Sequence, residues 1–214
     1  MSSTRVMDVY FRTRYSVFKW RHDLAIENKI VLALCMAGLT GLLAQVRVVL
    51  PWTPVPITGQ TFAPLLFGVL LGRWWGGISQ AIYVILGVAG IPWFAGASGG
   101  YSALIGPSGG YLIGFILAAL FVGYFTDKYI RARSFASLLS LMLFANFVLI
   151  YIPGLVQLGI WCRLVKGSLP TLWQLLLMGA IPFIVGDIIK ILAAATLAKG
   201  ITPKEAFNGE VDAK

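Results

Sequence analysis

Leu172–Ala198, LWQLLLMGAIPFIVGDIIKILAAATLA, is one long and nearly uncharged apolar run. It exceeds the about 20 apolar residues a helix needs to cross a bilayer. Its only charges are Asp187 and Lys190. Three positions apart, they share one face of a helix. A charge at the bilayer centre costs about 2.5–3.5 kcal/mol on insertion scales, so such residues mark function by default. Two readings follow. The pair neutralises itself, or it forms a polar floor for a ligand with a negative end and hydrogen-bonding groups. Pro182 favours the second, because it frees the Met178 carbonyl and predicts a kink one turn before Asp187.

The remainder of the chain agrees with a membrane setting. Of 214 residues, 58% are hydrophobic and 12% charged, against about 25% charged in an average soluble domain. Mean hydropathy is +0.84. The expected fold is therefore an all-α membrane protein, a bundle of six transmembrane helices. The spans are Lys29–Val49, Gln60–Gly72, Trp74–Gly90, Gly109–Thr126, Phe135–Ile152 and Leu172–Ala198. They form one domain over 29–199, between a basic aromatic tail (1–28) and a C-terminal tail (200–214). No stretch is long enough for a separate soluble domain.

The net charge of +9 is distributed as a membrane topology rather than as a nucleic-acid surface. Thirteen basic residues fall on one side: Arg5, Arg12, Arg14, Lys19, Arg21, Lys29, Arg73, Lys128, Arg131, Arg133, Lys199, Lys204 and Lys214. Three fall on the other: Arg47, Arg163 and Lys166. The positive-inside rule then puts both termini in the cytoplasm. The first 28 residues lack the apolar core of a secretory signal peptide. Asp8–Ile26, with Phe11, Tyr15 and Phe18 on one face, reads equally as an interfacial helix or a disordered basic tail. Cys35 and Cys162 lack metal-ligand spacing and read as packing residues.

Catalysis finds little support. Gly106-Pro107-Ser108-Gly109 matches the G-x-S-G of intramembrane serine proteases, but the lone histidine, His22, falls on the opposite side of the expected membrane. There is no H-E-x-x-H, no acid cluster for a metal, and no nucleotide-binding G-x-x-x-x-G-K-[ST]. The chain reads as no enzyme, with no cofactor of its own.

Binding is better supported. Three connections on the side opposite the termini, Pro51–Gly59 (PWTPVPITG), Ile91–Ser108 (IPWFAGASGGYSALIGPS) and Pro153–Pro170, are poor in charge. The Trp93–Tyr101 segment reads as a lid, and Trp52 as an interface anchor. Beneath them, Gln60, Tyr111 and Asn146 add polar groups to Asp187 and Lys190. On the first span Ala33, Ala37 and Gly41 repeat every fourth residue, a small-residue stripe that lets another helix approach closely.

Three of these segments resemble a known family. Val55-Pro56-Ile57-Thr58-Gly59-Gln60, Gly106–Phe115 (GPSGGYLIGF) and Gly186-Asp187-Ile188-Ile189-Lys190 are similar to the BioY family, and Pro153-Gly154 and Gln157-Leu158-Gly159 also fit. The family comprises the biotin-binding S components of energy-coupling-factor (ECF) transporters, and the resemblance covers about Lys29–Lys199. It implies a six-helix protein of the plasma membrane that binds biotin near the external face. Asp187 and Lys190 are similar to the family's ligand-contacting pair; Gln60, Trp93, Tyr101 and Tyr111 are the further binding residues expected from the chain's own polar groups and lid. Ala33 and Ala37, with Gly41 extending the stripe, resemble the motif that docks on the transmembrane coupling protein. Two partner ATPases would supply the hydrolysis this chain lacks, although some family chains are thought to work without dedicated partners. One departure stands out: Phe94-Ala95-Gly96-Ala97 lacks an asparagine expected to help bind the ureido ring. The alternatives are an S component for another vitamin, an intramembrane hydrolase using Ser108, and a membrane scaffold.

Overall fold

The computed structural model describes residues 3–206 and 209–212. Lys214, counted above on the terminal side, lies outside the described residues. The structure is helical apart from one two-stranded ribbon. In chain order it has α1 (Ser3–Asp23), α2 (Ile26–Gln45), strands β1 (Arg47–Val48) and β2 (Ile57–Thr58), α3 (Phe62–Val88), α4 (Tyr101–Ile105) and α5 (Gly109–Lys128). Then come α6 (Phe135–Phe144), a π-helical turn Ala145–Ile150, α7 (Tyr151–Lys166), α8 (Leu172–Gly179), a 3₁₀ turn Ile181–Phe183 and α9 (Ile184–Ile201). Among the described residues, five helical runs are long and apolar enough to cross a membrane: Ile26–Gln45, Phe62–Val88, Gly109–Lys128, Phe135–Lys166 and Leu172–Ile201. The chain is thus built as a multi-pass membrane protein.

The second of those runs is not one rod. Gly72 sits at φ 78°, ψ 178° inside α3, a region essentially closed to residues with a Cβ. The chain reverses there. A Cβ on Gly76 would lie 2.7 Å from the Gly68 Cα, and Gln60 bonds Tyr83 across the two arms. The expected Gln60–Gly72 and Trp74–Gly90 segments are therefore the arms of a hairpin. The Arg73 amide at the tip donates to Asp127 at 2.8 Å. Helix α5 packs along the hairpin so closely that a Cβ on Gly68 would meet the Ala119 carbonyl at 2.6 Å. Around this α3–α5 centre, α2 packs on α3, α7 on α5, and α6 on α9.

Two span boundaries are corrected. The first helix ends at Gln45 rather than Val49, because Val46, Val48 and Val49 are β-branched and Pro51 follows. Arg47 and Val48 instead pair antiparallel with Thr58 and Ile57. The fifth run continues past Pro153 to Lys166, so most of the expected Pro153–Pro170 connection is helix. The π turn just before Pro153, with the Tyr151 amide bonded to the Asn146 carbonyl, opens the helix where the proline ring would press on the Leu149 carbonyl. The last span is broken as Pro182 predicts: α8 ends at Gly179 and α9 starts at Ile184. The Met178 carbonyl accepts from the Thr53 hydroxyl at 2.5 Å, and the Gly179 carbonyl from the Tyr111 hydroxyl at 2.7 Å.

Of the two readings for the N-terminal segment, the structure gives a helix, α1, docked on the bundle end that carries the Gly72 turn. Phe18 is buried in the core. Arg21 donates to the Val69 and Leu70 carbonyls at 2.7 and 2.8 Å and pairs with Asp127 at 2.7 Å. Burial pulls the Arg21 guanidinium below its ordinary pKa, and Asp127 acts against that shift. Arg14 donates to the Lys199 and Thr202 carbonyls. Two regions of the chain distant in sequence are thereby tied to one end of the molecule.

Candidate ligand-binding cavity

At the opposite end from Gly72, a cavity of about 380 Å³ opens between α5, α7, α9, the β1–β2 ribbon and the loop after α3. Its floor is organised by Asp187, which is almost fully buried at 2% exposure. Four donors converge on that carboxylate. Oδ1 accepts from the Thr61 hydroxyl at 3.0 Å and pairs with the Lys190 Nζ at 2.5 Å. Oδ2 accepts from the Asn146 amide at 2.9 Å and the Tyr151 hydroxyl at 2.5 Å. A carboxylate offers about four lone-pair sites, and all are taken. Such saturation is what makes a buried ion pair tolerable.

The local folds that bring these donors together are specific. Asn146 and Tyr151 are five residues apart, which on an α-helix places them about 140° from each other. The π turn between them closes that angle, so both reach the same oxygen. Lys190 also donates to the Thr58 carbonyl at 2.8 Å, which fastens β2 to α9. Of its three protons two are therefore used, and one remains for a ligand. Gln60 is buried. Its Nε2 donates to the Tyr83 hydroxyl at 2.5 Å and its Oε1 accepts from the Thr58 hydroxyl at 2.9 Å.

Above this floor the walls are largely apolar, with Val55, Ile57, Phe94, Leu112, Phe115 and Phe183 among them. The roof is the Ile91–Ser108 segment, folded rather than open. Phe94 pairs with Ser98 in an isolated bridge, and Gln45 donates to the Trp93 and Phe94 carbonyls at 3.2 and 3.1 Å. The Ala97 amide returns a bond to Gln45 at 3.0 Å. A largely apolar cavity with a few convergent polar groups at one end is the usual form of a small-molecule site.

A profile of the BioY family matches residues 16–206. The chain belongs to the BioY family. Among curated BioY proteins, the probable biotin transporter BioY of Methanothermobacter thermautotrophicus is 61% identical over 145 residues, covering 68% of this chain and 92% of that protein. The biotin transporter BioY of Thermotoga maritima is 36% identical over 149 residues, covering 70% and 82%. A crystal structure of the S-component for biotin from an ECF-type ABC transporter aligns with a TM-score of 0.71 at 23% identity, over 82% of this chain and 93% of that one. This BioY-family chain therefore has the S-component fold.

Asp187, Lys190, Gln60 and Tyr111 all line the cavity. Trp93 and Tyr101 do not, which corrects their expected place in its wall. The Trp93 ring turns away, donating to the Tyr83 carbonyl at 2.9 Å and packing on Gly41, and Tyr101 is 64% exposed. Phe94, Ala95 and Ser98 carry that side of the roof instead. The docking stripe is corrected too. Ala33, Ala37 and Gly41 are buried within this chain, facing α3 and Trp93, so the close helix approach they permit is intramolecular. Ser108 lines the cavity, and among the described residues the lining holds no histidine and no acid besides Asp187. Thr61, Tyr151 and the Thr58 carbonyl escaped the sequence reading. Nothing in their spacing relates them to Asp187, since the π turn and the ribbon create those meetings.

Proposed function

We propose that this protein is the biotin-binding subunit of an uptake system in the plasma membrane, taking biotin from the external side. One observation carries the reading: a roofed cavity with apolar walls ends in a neutral, hydrogen-bonding floor of Lys190, Asp187 and Gln60, in a chain of the BioY family. Biotin has an apolar ring and chain between a cyclic urea and a carboxylate. Asp187, Lys190, Gln60 and Tyr111 are the proposed ligand-facing set, with Asp187 holding Lys190 in place.

Counting the two arms of the α3 hairpin separately gives six passes, with both termini in the cytoplasm. The count of thirteen basic residues against three supports that orientation. Energy would come from a transmembrane coupling protein and two ATPases, in keeping with the S-component fold. Thermal unfolding of purified protein against a panel of vitamins tests the reading. Biotin at 100 times its Kd should stabilise by about 2.7 kcal/mol, and the other vitamins should not. Stabilisation by a different vitamin and not by biotin would overturn the assignment of substrate.

A further inference from the structure

The charged side chains lining the cavity, among the described residues, are Arg47, Asp187 and Lys190. Asp187 and Lys190 cancel at 2.5 Å, so Arg47 supplies the net positive charge. It stands on β1 directly opposite Thr58, whose carbonyl holds Lys190. It is exposed, unlike Asp187, and so marks the mouth. Its guanidinium lies against Gly96 of the roof, at φ 78°, where a methyl group would overlap it. No carboxylate among the described residues pairs with it.

The floor's spare hydrogen-bonding capacity is of a different kind. Lys190 has one unused proton. Gln60 Oε1, the Thr61 hydroxyl and the Tyr111 hydroxyl each donate or accept once and keep lone pairs unshared. One strong donor among several acceptors suits a cyclic urea, which has one carbonyl and two N–H groups. It does not suit a carboxylate, which only accepts. Placing a carboxylate there would also set it beside the buried Asp187 charge.

We propose that Arg47 is the counter-ion for the ligand's carboxylate, and that the ligand lies with its urea ring inward on Lys190 and Gln60. This rests on the cavity being the biotin site. Arg47 bridges the ribbon and the roof, so a carboxylate held there also closes the mouth. The planar guanidinium meets a carboxylate with two parallel hydrogen bonds, which a lysine cannot reproduce.

The test measures binding of biotin and of its uncharged methyl ester to the wild-type protein, Arg47→Gln, Arg47→Lys and Lys190→Met. Arg47→Gln should weaken biotin binding by up to about fivefold, the upper end for an exposed ion pair, and leave the ester unchanged. Arg47→Lys should recover part of the loss. Lys190→Met should weaken acid and ester alike. Equal binding of biotin by the wild type and Arg47→Gln overturns the proposal, as does a loss in Lys190→Met confined to the acid. If the wild type binds neither form, the biotin reading itself fails and this inference falls with it.

Discussion

Removing the Asp187 charge alone should destabilise the protein more than removing both charges of the pair. In Asp187→Asn the side chain keeps its shape but loses the negative charge, and its new amide donor faces groups that donate. The Lys190 ammonium, whose side chain is 18% exposed, is left with the Thr58 carbonyl as its remaining partner. A single amide oxygen then offers about two lone pairs to the donors that shared Oδ1 and Oδ2, so the Thr61 and Tyr151 hydroxyls and the Asn146 amide cannot all keep their bonds. Breaking a buried pair by removing one partner costs about 3–5 kcal/mol, whereas replacing both by apolar groups is often neutral. The set to compare is wild type, Asp187→Asn, Lys190→Met and Asp187→Leu/Lys190→Met, by unfolding in detergent without ligand. The double variant should lie closer to wild type than Asp187→Asn does, while biotin binding is lost in both. A double variant at least as unstable as Asp187→Asn would refute the view that charge balance, rather than the pair itself, stabilises the floor.

Three other outcomes are expected. Tyr151→Phe removes a 2.5 Å bond to a carboxylate and should cost about 1.5–3 kcal/mol in the same unfolding assay. Gly72→Ala forces a side chain into the φ 78°, ψ 178° turn against Asp127 and should cost about 1–3 kcal/mol from backbone strain alone; unchanged stability would mean that the hairpin tip can relax. At the C-terminal tail, the Arg131 amide foremost, and then the Ile130 amide, hold the Asp212 carboxyl below its ordinary 3.8. A lowered folded pKa stabilises above the unfolded value and is lost as pH falls through the folded one. Protection of those two amides, taken as exchange relative to the intrinsic rate at each pH, should therefore hold at neutral pH and fall only below about pH 3.8, and Asp212→Asn should remove that dependence.

The membrane class, the break at Pro182 and the need to compensate Asp187 and Lys190 were legible in the chain because each rests on local physics. An apolar run of sufficient length needs a bilayer, and a proline removes a helix bond wherever it sits. Two charges in such a run must also be compensated. That much the sequence determined by itself. Which groups compensate them was decided only in three dimensions. Asn146 and Tyr151 reach Asp187 because a π turn rotates them together, and Thr58 reaches Lys190 because Arg47–Val48 leaves the helix to pair with Ile57–Thr58. The same limit explains the misplaced aromatics and the stripe. Composition shows that a loop can cover a ligand, but the bonds from Gln45 turn Phe94 inward and Trp93 onto Gly41. Small-residue spacing shows that a helix will approach closely, and only packing decides that the helix is the chain's own α3. Burial and hydrogen bonding are pairwise properties of residues far apart in sequence, so the tertiary structure alone fixes them.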